Sequence, residues 1–291
     1  SVPVLMPHTI NDKAFHQATH YYSLQENVRT GAWFSCVSES TRNDLLKIFP
    51  EVESRTSVIH NIVAAEYFEH DLPKALTYQI IRNRLSAENS FTTDLKDLPS
   101  VNGKVAGEDF PYLLMVSTIE PRKNHHLLVS AWERLKYTSM PELKLVIVGG
   151  SGWDQGPILA SFRPWAERGE LFHLSNVPST ELRVLYKHAA ATICPSLAEG
   201  FDYSGVEAMR CGGIVLSSDI PVHREVYQGG SGYFSPYSPD EAAEVIESVL
   251  APEATARCEE LRRQGRRVSA LYTHENILPK WDEYFQKMKK R

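Results

Sequence analysis

From Pro111 onwards, short apolar runs alternate with amphipathic stretches of helical period, separated by brief turns. A chain with that alternation is confined to a parallel sheet covered by helices on both faces. Residues 112–117 and 143–148 read as strands, the second apolar enough to be buried on both sides. Between them, 124–136 places Leu127, Leu128, Ala131, Trp132 and Leu135 on one helical stripe. Helices are expected at 157–167, 179–188 and 240–250, with strands at 171–174, 190–194 and 214–218. The stretch 272–289 reads as a last helix that Pro279 starts or kinks.

The chemical signals concentrate in residues 194–213, CPSLAEGFDYSGVEAMRCGG. A strand ends at Cys194-Pro195, and a short helix follows the loop and is closed by Gly212-Gly213. A strand, a loop and a helix N-terminus make an anion site, because the first helical N–H groups have no internal partner. Gly205 would let a phosphate approach the backbone closely. The structural alternative is a capping box, with Ser204 at N-cap and Glu207 at N3. Glu199-Gly200-Phe201 just upstream tips the balance toward a ligand site.

Arg122 and Lys123 follow the strand at 112–117, behind Glu120-Pro121. Proline favours a turn, which would hold both cations at the carboxyl edge of the sheet, where open α/β folds bind ligands. A planar guanidinium and a point-charge ammonium suit a diphosphate; an exposed basic pair is the plainer reading. Residues 150–156, GSGWDQG, have glycines spaced one position too far for a dinucleotide fingerprint and read as a tight turn, so no nicotinamide site is expected. No Asp-x-Asp occurs, and the eleven histidines show no paired metal spacing, so no metal site is expected. His125 and His126 should open a helix, one of them facing solvent.

The N-terminal part is sparser. Strands are expected at 2–6, 32–37 and 56–60, with Ser38 capping a helix that runs to about Phe49. His8 follows the first of them; His16, His20, Tyr21 and Tyr22 lie in a segment without a firm assignment. Three strands fall short of the five or six that a doubly wound domain typically carries, so roughly a hundred residues of this domain are expected to belong to a longer chain. A plausible helix at 75–87 and a loop at 89–109 form a connection long enough to mark a boundary. The expected division is 1–72 for the C-terminal part of a first domain, 73–109 for a linker, 110–268 for a Rossmann-like domain, and 269–291 for a closing helix.

A formal charge of −5 argues against a general nucleic-acid surface. No apolar run reaches membrane-span length, and four scattered cysteines without CxxC spacing suggest neither zinc nor disulfides. A reducing, cytoplasmic setting is expected. The terminal KMKKR, at 287–291, is either a solvated helix end or a contact with anionic lipid at the inner membrane face.

The sequence resembles the retaining family 4 glycosyltransferases of GT-B fold. The resemblance rests on EGFDYSGVEAM, a Glu-seven-residues-Glu motif, with STIEPRKNHHLLVSAWERL, LKLVIVGGSG and VPSTELRVLYKHAAATICPSLAEGF in the same order around it. It implies a complete C-terminal Rossmann-like domain, a partial N-terminal one, and a last helix crossing back between them. It further implies that Arg122 and Lys123 neutralise a departing diphosphate. Glu199, with the amides of Gly200 and Phe201, would meet the donor sugar, and Glu207 would hold the ribose. The amides of Ser204, Gly205 and Val206 would face the diphosphate, Val177 would lie in the base-contacting loop, and His8 would face the reacting sugar. GDP-mannose is the first choice of donor and a UDP-sugar the second, with no separate cofactor. The acceptor would be a glycan or lipid-linked hydroxyl. A non-catalytic nucleotide-sugar-binding module, or a GT-B-type epimerase, remains open. The chain departs from the family at Asp202 and Ser204, where glycine and proline are usual; Asp202 is expected to turn toward donor sugar or acceptor, the plain alternative being an aspartate that helps shape the loop before Ser204.

Overall fold

The computed structural model describes residues 13–88 and 110–290. The strand expected at 2–6, His8 and the 89–109 stretch lie outside the described residues.

The N-terminal unit opens with α1 (Lys13–Arg29), where the sequence offered no assignment. Its apolar positions are few: Tyr21, Leu24 and Val28 pack beside Leu45, Phe49 and Val52. β1 (Phe34–Cys36) and β2 (Thr56–Val58) then pair in parallel, Phe34 opposite Thr56. Between them runs α2 (Glu39–Ile48), which Ser38 caps as expected, its Oγ accepting from Thr41 N at 3.1 Å.

α3 (Ala75–Glu88) packs onto the larger sheet rather than onto this pair. Tyr78 meets Phe110 edge-on with ring centroids 4.8 Å apart, and Arg84 grips both carboxylate oxygens of Glu181 at 2.7 and 2.8 Å.

The second unit is a six-stranded parallel sheet flanked by helices. In chain order its elements are β3 (Tyr112–Val116), α4 (His125–Thr138), β4 (Lys144–Val148), α5 (Gly156–Ala166), β5 (Leu171–Leu174), α6 (Ser179–His188) and β6 (Ala191–Cys194). There follow α7 (Tyr203–Arg210), β7 (Val215–Ser218), α8 (Pro221–Tyr227), β8 (Ser231–Phe234), α9 (Pro239–Leu250) and α10 (Thr255–Ser269). The strand order is β5-β4-β3-β6-β7-β8. Alternation along β3 sends Tyr112 and Leu114 to the face covered by α3, α6 and α7, and Leu113 and Met115 to the face covered by α4, α5 and α9. Trp132 of α4 is fully buried on the second face, and its indole N–H donates to Leu143 O at 2.9 Å, so the burial leaves no polar group stranded.

α8, β8 and α10 were not anticipated. α10 is dominated by charged residues and buries only Leu261, Gly265, Val268 and Ser269, too few for a legible stripe. α11 (His274–Lys289) returns to the N-terminal unit: Ile277 and Tyr284 pack with Ile59, and Trp33 meets Tyr284 edge-on at 6.1 Å. Among the described residues, no helix is long and apolar enough to cross a membrane.

In this strand order the connections run in opposite directions from β3 and β6, which are neighbours. The crevice beyond their carboxyl ends is where ligands bind in open α/β sheets.

Candidate functional site

Both sides of that crevice carry the anticipated residues. β3 leads into a 3-10 turn, Pro121–Lys123, and Asn124 then adopts a left-handed φ of 61° before α4 begins. Asn tolerates that conformation better than most residues, and its side chain donates to Pro195 O at 3.1 Å and Pro236 O at 2.9 Å. Leu197 N donates to Arg122 O at 2.9 Å, so the turn is bound to the loop after β6.

Glu199 comes from that loop and lies between the two cations. Its Oε2 is 2.7 Å from Arg122 Nη1 and its Oε1 is 2.6 Å from Lys123 Nζ, with its side chain 8% exposed. Arg122 also reaches Glu120 Oε1 at 2.6 Å and Ala198 O at 2.7 Å. The pair is therefore not the exposed basic patch of the plainer reading. Burial lowers the Lys123 ammonium, but the nearby Asp202 and Glu199 carboxylates outweigh it and hold its pKa above the ordinary value. Arg carries five N–H donors and Lys three, so carboxylate pairing leaves both able to bond a further anion.

The helix beyond the loop starts differently from the capping-box expectation. α7 begins at Tyr203 and its N-cap is Asp202, at φ 64° and ψ 96°. Ser204 is inside the helix, where its Oγ donates to Asp202 Oδ1 at 2.8 Å. Glu207 consequently stands in the second turn, and its Oε2 accepts from the Tyr186 hydroxyl at 2.9 Å instead of closing a box. Burial pushes the Glu207 carboxyl up to about 7, against the Tyr186 bond, which lowers it.

The Asp202 side chain is 5% exposed and turns inward, with Oδ2 3.2 Å from His223 Nε2, the arrangement of an aspartate that shapes its loop. His223 is fully buried, stacks on Tyr227 at 4.9 Å, and places Nδ1 3.0 Å from Ser218 O. Gly205 is needed for packing: a Cβ there would stand 2.3 Å from Tyr227 Cζ, so a phenol ring fills the side-chain face of this glycine.

Phe201 is buried among His60, Tyr203 and Tyr272, leaving only its backbone for a ligand. Val206 is fully buried, and Val177, beyond β5, packs against the core at the far end of the same sheet edge. The structure thus gathers Arg122, Lys123, Glu199, Gly200, Phe201, Ser204, Gly205, Val206 and Glu207 around the crevice; Val177 stands apart, and His8 lies outside the described residues. His125 is fully buried and burial pushes its imidazole down to about 3, while His126 is exposed. The glycine turn after β4 packs on the segment between β3 and the cations: a Cβ on Gly152 would lie 2.5 Å from Ile119 O.

A cleft of about 610 Å³ opens beside this cluster, walled by Ser40 and Asp44 of α2 and by Glu199, Asp219, Pro236, Tyr237 and Glu241. Glu199 belongs to both the cation cluster and the cleft. Sequence reasoning missed His223, Tyr186 and Tyr227; Pro221 after a strand signals a helix start, yet nothing local says where such a helix points its side chains.

The same fold occurs in sucrose-phosphate synthase from Thermosynechococcus elongatus, with a TM-score of 0.71 at 20% identity over 100% of this chain and 66% of that one. Anabaena HepE, solved in complex with UDP, superposes with a TM-score of 0.67 at 16% identity, covering 98% of this chain and 70% of that one. The fold is that of the GT-B glycosyltransferases. Residues 101–268 match the family described as glycosyl transferases group 1, and the chain belongs to it. Serotype-specific mannosyltransferase WbdA of Escherichia coli is 34% identical over 142 residues, which are 48% of this chain and 17% of that protein. O-antigen chain mannosyltransferase RfbU of Salmonella typhimurium is 28% identical over 181 residues, 59% of this chain and 50% of that protein.

Proposed function

We propose that this chain moves a hexose, mannose in the first instance, from a nucleoside-diphosphate sugar to a hydroxyl of a glycan or lipid-linked acceptor, with retention of anomeric configuration. The observation that carries this reading is the Arg122–Glu199–Lys123 cluster at the crevice between β3 and β6. The likeness to mannosyltransferases supports GDP-mannose as donor, with a UDP-sugar second.

Negative charge grows on the diphosphate as its bond to the sugar C1 breaks. Arg122, Lys123 and the first-turn amides at Ser204, Gly205 and Val206 are the donors that would bear it, without a metal or other cofactor. Groups aimed in advance at developing charge often supply the largest catalytic contribution. Glu199 would exchange part of its bonding to the two cations for hydroxyls of the donor sugar, with the amides of Gly200 and Phe201 beside it. Glu207 would accept from the ribose hydroxyls, and a phosphate oxygen of the donor would help deprotonate the acceptor on the same face.

Calorimetric titration with GDP, UDP and ADP, followed by an assay for labelled mannose transfer from GDP-mannose, tests this. Preferred binding of GDP with transfer supports the reading. Binding without transfer to any acceptor would leave a non-catalytic module, and release of nucleotide without an acceptor would favour an epimerase. No binding of any nucleotide by the folded chain refutes the donor site.

A further inference from the structure

Three successive side chains of α8 end on three different elements. His223 reaches Asp202 in the loop after β6, and Arg224 pairs with Asp219 at 2.6 and 2.7 Å. Glu225 leaves the sheet unit altogether. Its Oε1 accepts from Glu39 N at 2.7 Å and its Oε2 from Ser40 N at 3.0 Å, both in the first turn of α2. The same Oε1 lies 2.8 Å from His60 Nε2, just beyond β2.

A carboxylate on first-turn amides satisfies donors with no intrahelical partner and complements the helix dipole. Yet α2 already has its own cap, Ser38. The second cap comes from 186 residues away and joins two units. Burial raises the Glu225 carboxyl, but the His60 contact and the two amides outweigh it and hold its pKa below the ordinary value. The groups it faces are His60 and the amides of α2, and on its own helix Arg224 is turned to Asp219.

The two units also touch directly at the loop. A Cβ on Gly200 would stand 3.3 Å from Val37 Cγ2 and 3.9 Å from Thr41 Oγ1, at the start of α2. His60 lies against Phe201 with ring centroids 6.3 Å apart. One short helix therefore anchors α2 and His60 through Glu225, and the 199–204 loop through His223 and Asp202.

We infer that Glu225 is a positioning residue: it sets the N-terminal unit against the 199–204 loop, so that the loop's geometry and the placement of α2 form one coupled state. The inference rests on reading 199–207 as the donor-binding segment. Coupling of this kind is reciprocal, so a nucleotide bound at the loop favours the same placement of α2.

The test compares Glu225→Ala and Glu225→Gln with the parent chain, using hydrogen exchange over 38–44 and 199–206 and calorimetric titration with GDP. Gln keeps one acceptor oxygen but turns an NH2 toward an amide N–H, so its effect falls between the other two. Glu225→Ala is expected to speed exchange in both segments and to weaken GDP binding about five- to tenfold, the low end for coupled sites. Faster exchange at 38–44 alone, with GDP affinity unchanged, would make Glu225 merely a second helix cap and overturn the inference. If the Ala variant does not fold, parent-like exchange in both segments of the Gln variant overturns it equally. Should the parent chain bind no GDP, the donor-site reading fails, while the exchange measurement still decides whether the two segments move together.

Discussion

Lys123 and Glu199, 76 positions apart in the chain, meet with Nζ 2.6 Å from Oε1. Each stands just past the end of one of two neighbouring strands, β3 and β6, so the sheet brings opposite charges together where its connections diverge. The carboxylate is shared with Arg122, and both pairs are largely shielded from water. Losing one partner of a shielded ion pair costs more than the pair itself contributes, because a charge is left behind.

Lys123→Ala and Arg122→Ala are each expected to lower turnover by about 10²–10³, the range for removing one group aimed at developing charge. Steady-state transfer assays, with circular dichroism to confirm folding, check this. A loss below about threefold in both variants would remove the two residues from the diphosphate site.

Glu207 carries a pH dependence. Its carboxyl rises from 4.5 to about 7 on folding, so the folded chain holds this proton more tightly than the unfolded chain. The resulting stabilisation is full at low pH and is lost as pH climbs from 4.5 toward 7. Ribose hydroxyls need the ionised form, so nucleotide affinity should increase through the upper part of that window. Glu207→Gln should abolish that component and weaken binding above neutrality by roughly 1–2 kcal/mol. Identical pH profiles for variant and parent would separate Glu207 from the ribose.

At Asp202, glycine would relax a positive φ, a gain on the order of 1 kcal/mol. The carboxylate, however, accepts from Ser204 and faces buried His223. Leaving those groups without a partner costs about 1–3 kcal/mol each. Asp202→Gly is therefore expected to be less stable than Asp202→Asn, which keeps an acceptor oxygen and tolerates left-handed backbone. Urea unfolding decides it, and a Gly variant more stable than the parent would show that the strain outweighs the network.

Gly205→Ala places a methyl group within 2.3 to 2.7 Å of three atoms of the Tyr227 side chain. Overpacking of this kind costs roughly 1–3 kcal/mol. A second substitution, Tyr227→Leu, should recover part of the loss in a double-mutant cycle. Strict additivity of the two changes would mean that Tyr227 is not what excludes a side chain at Gly205.

Read alone, the sequence determined the alternation of strands and helices over 112–218, the helix at 240–250, the Ser38 cap of α2, and the placing of Arg122, Lys123 and Glu199 at one sheet edge. Those features depend on periodicity and turn chemistry, which are written in neighbouring residues. What required tertiary structure is every feature set by a distant partner. Asp202 rather than Ser204 stands at the N-cap, at a positive φ, and its carboxylate meets His223, 21 positions later. The side-chain face of Gly205 packs on Tyr227, and Glu225 ends on a helix 186 positions away. Burial supplies the physical reason: it makes each polar side chain find a partner wherever the fold places one, and no local period records where that will be.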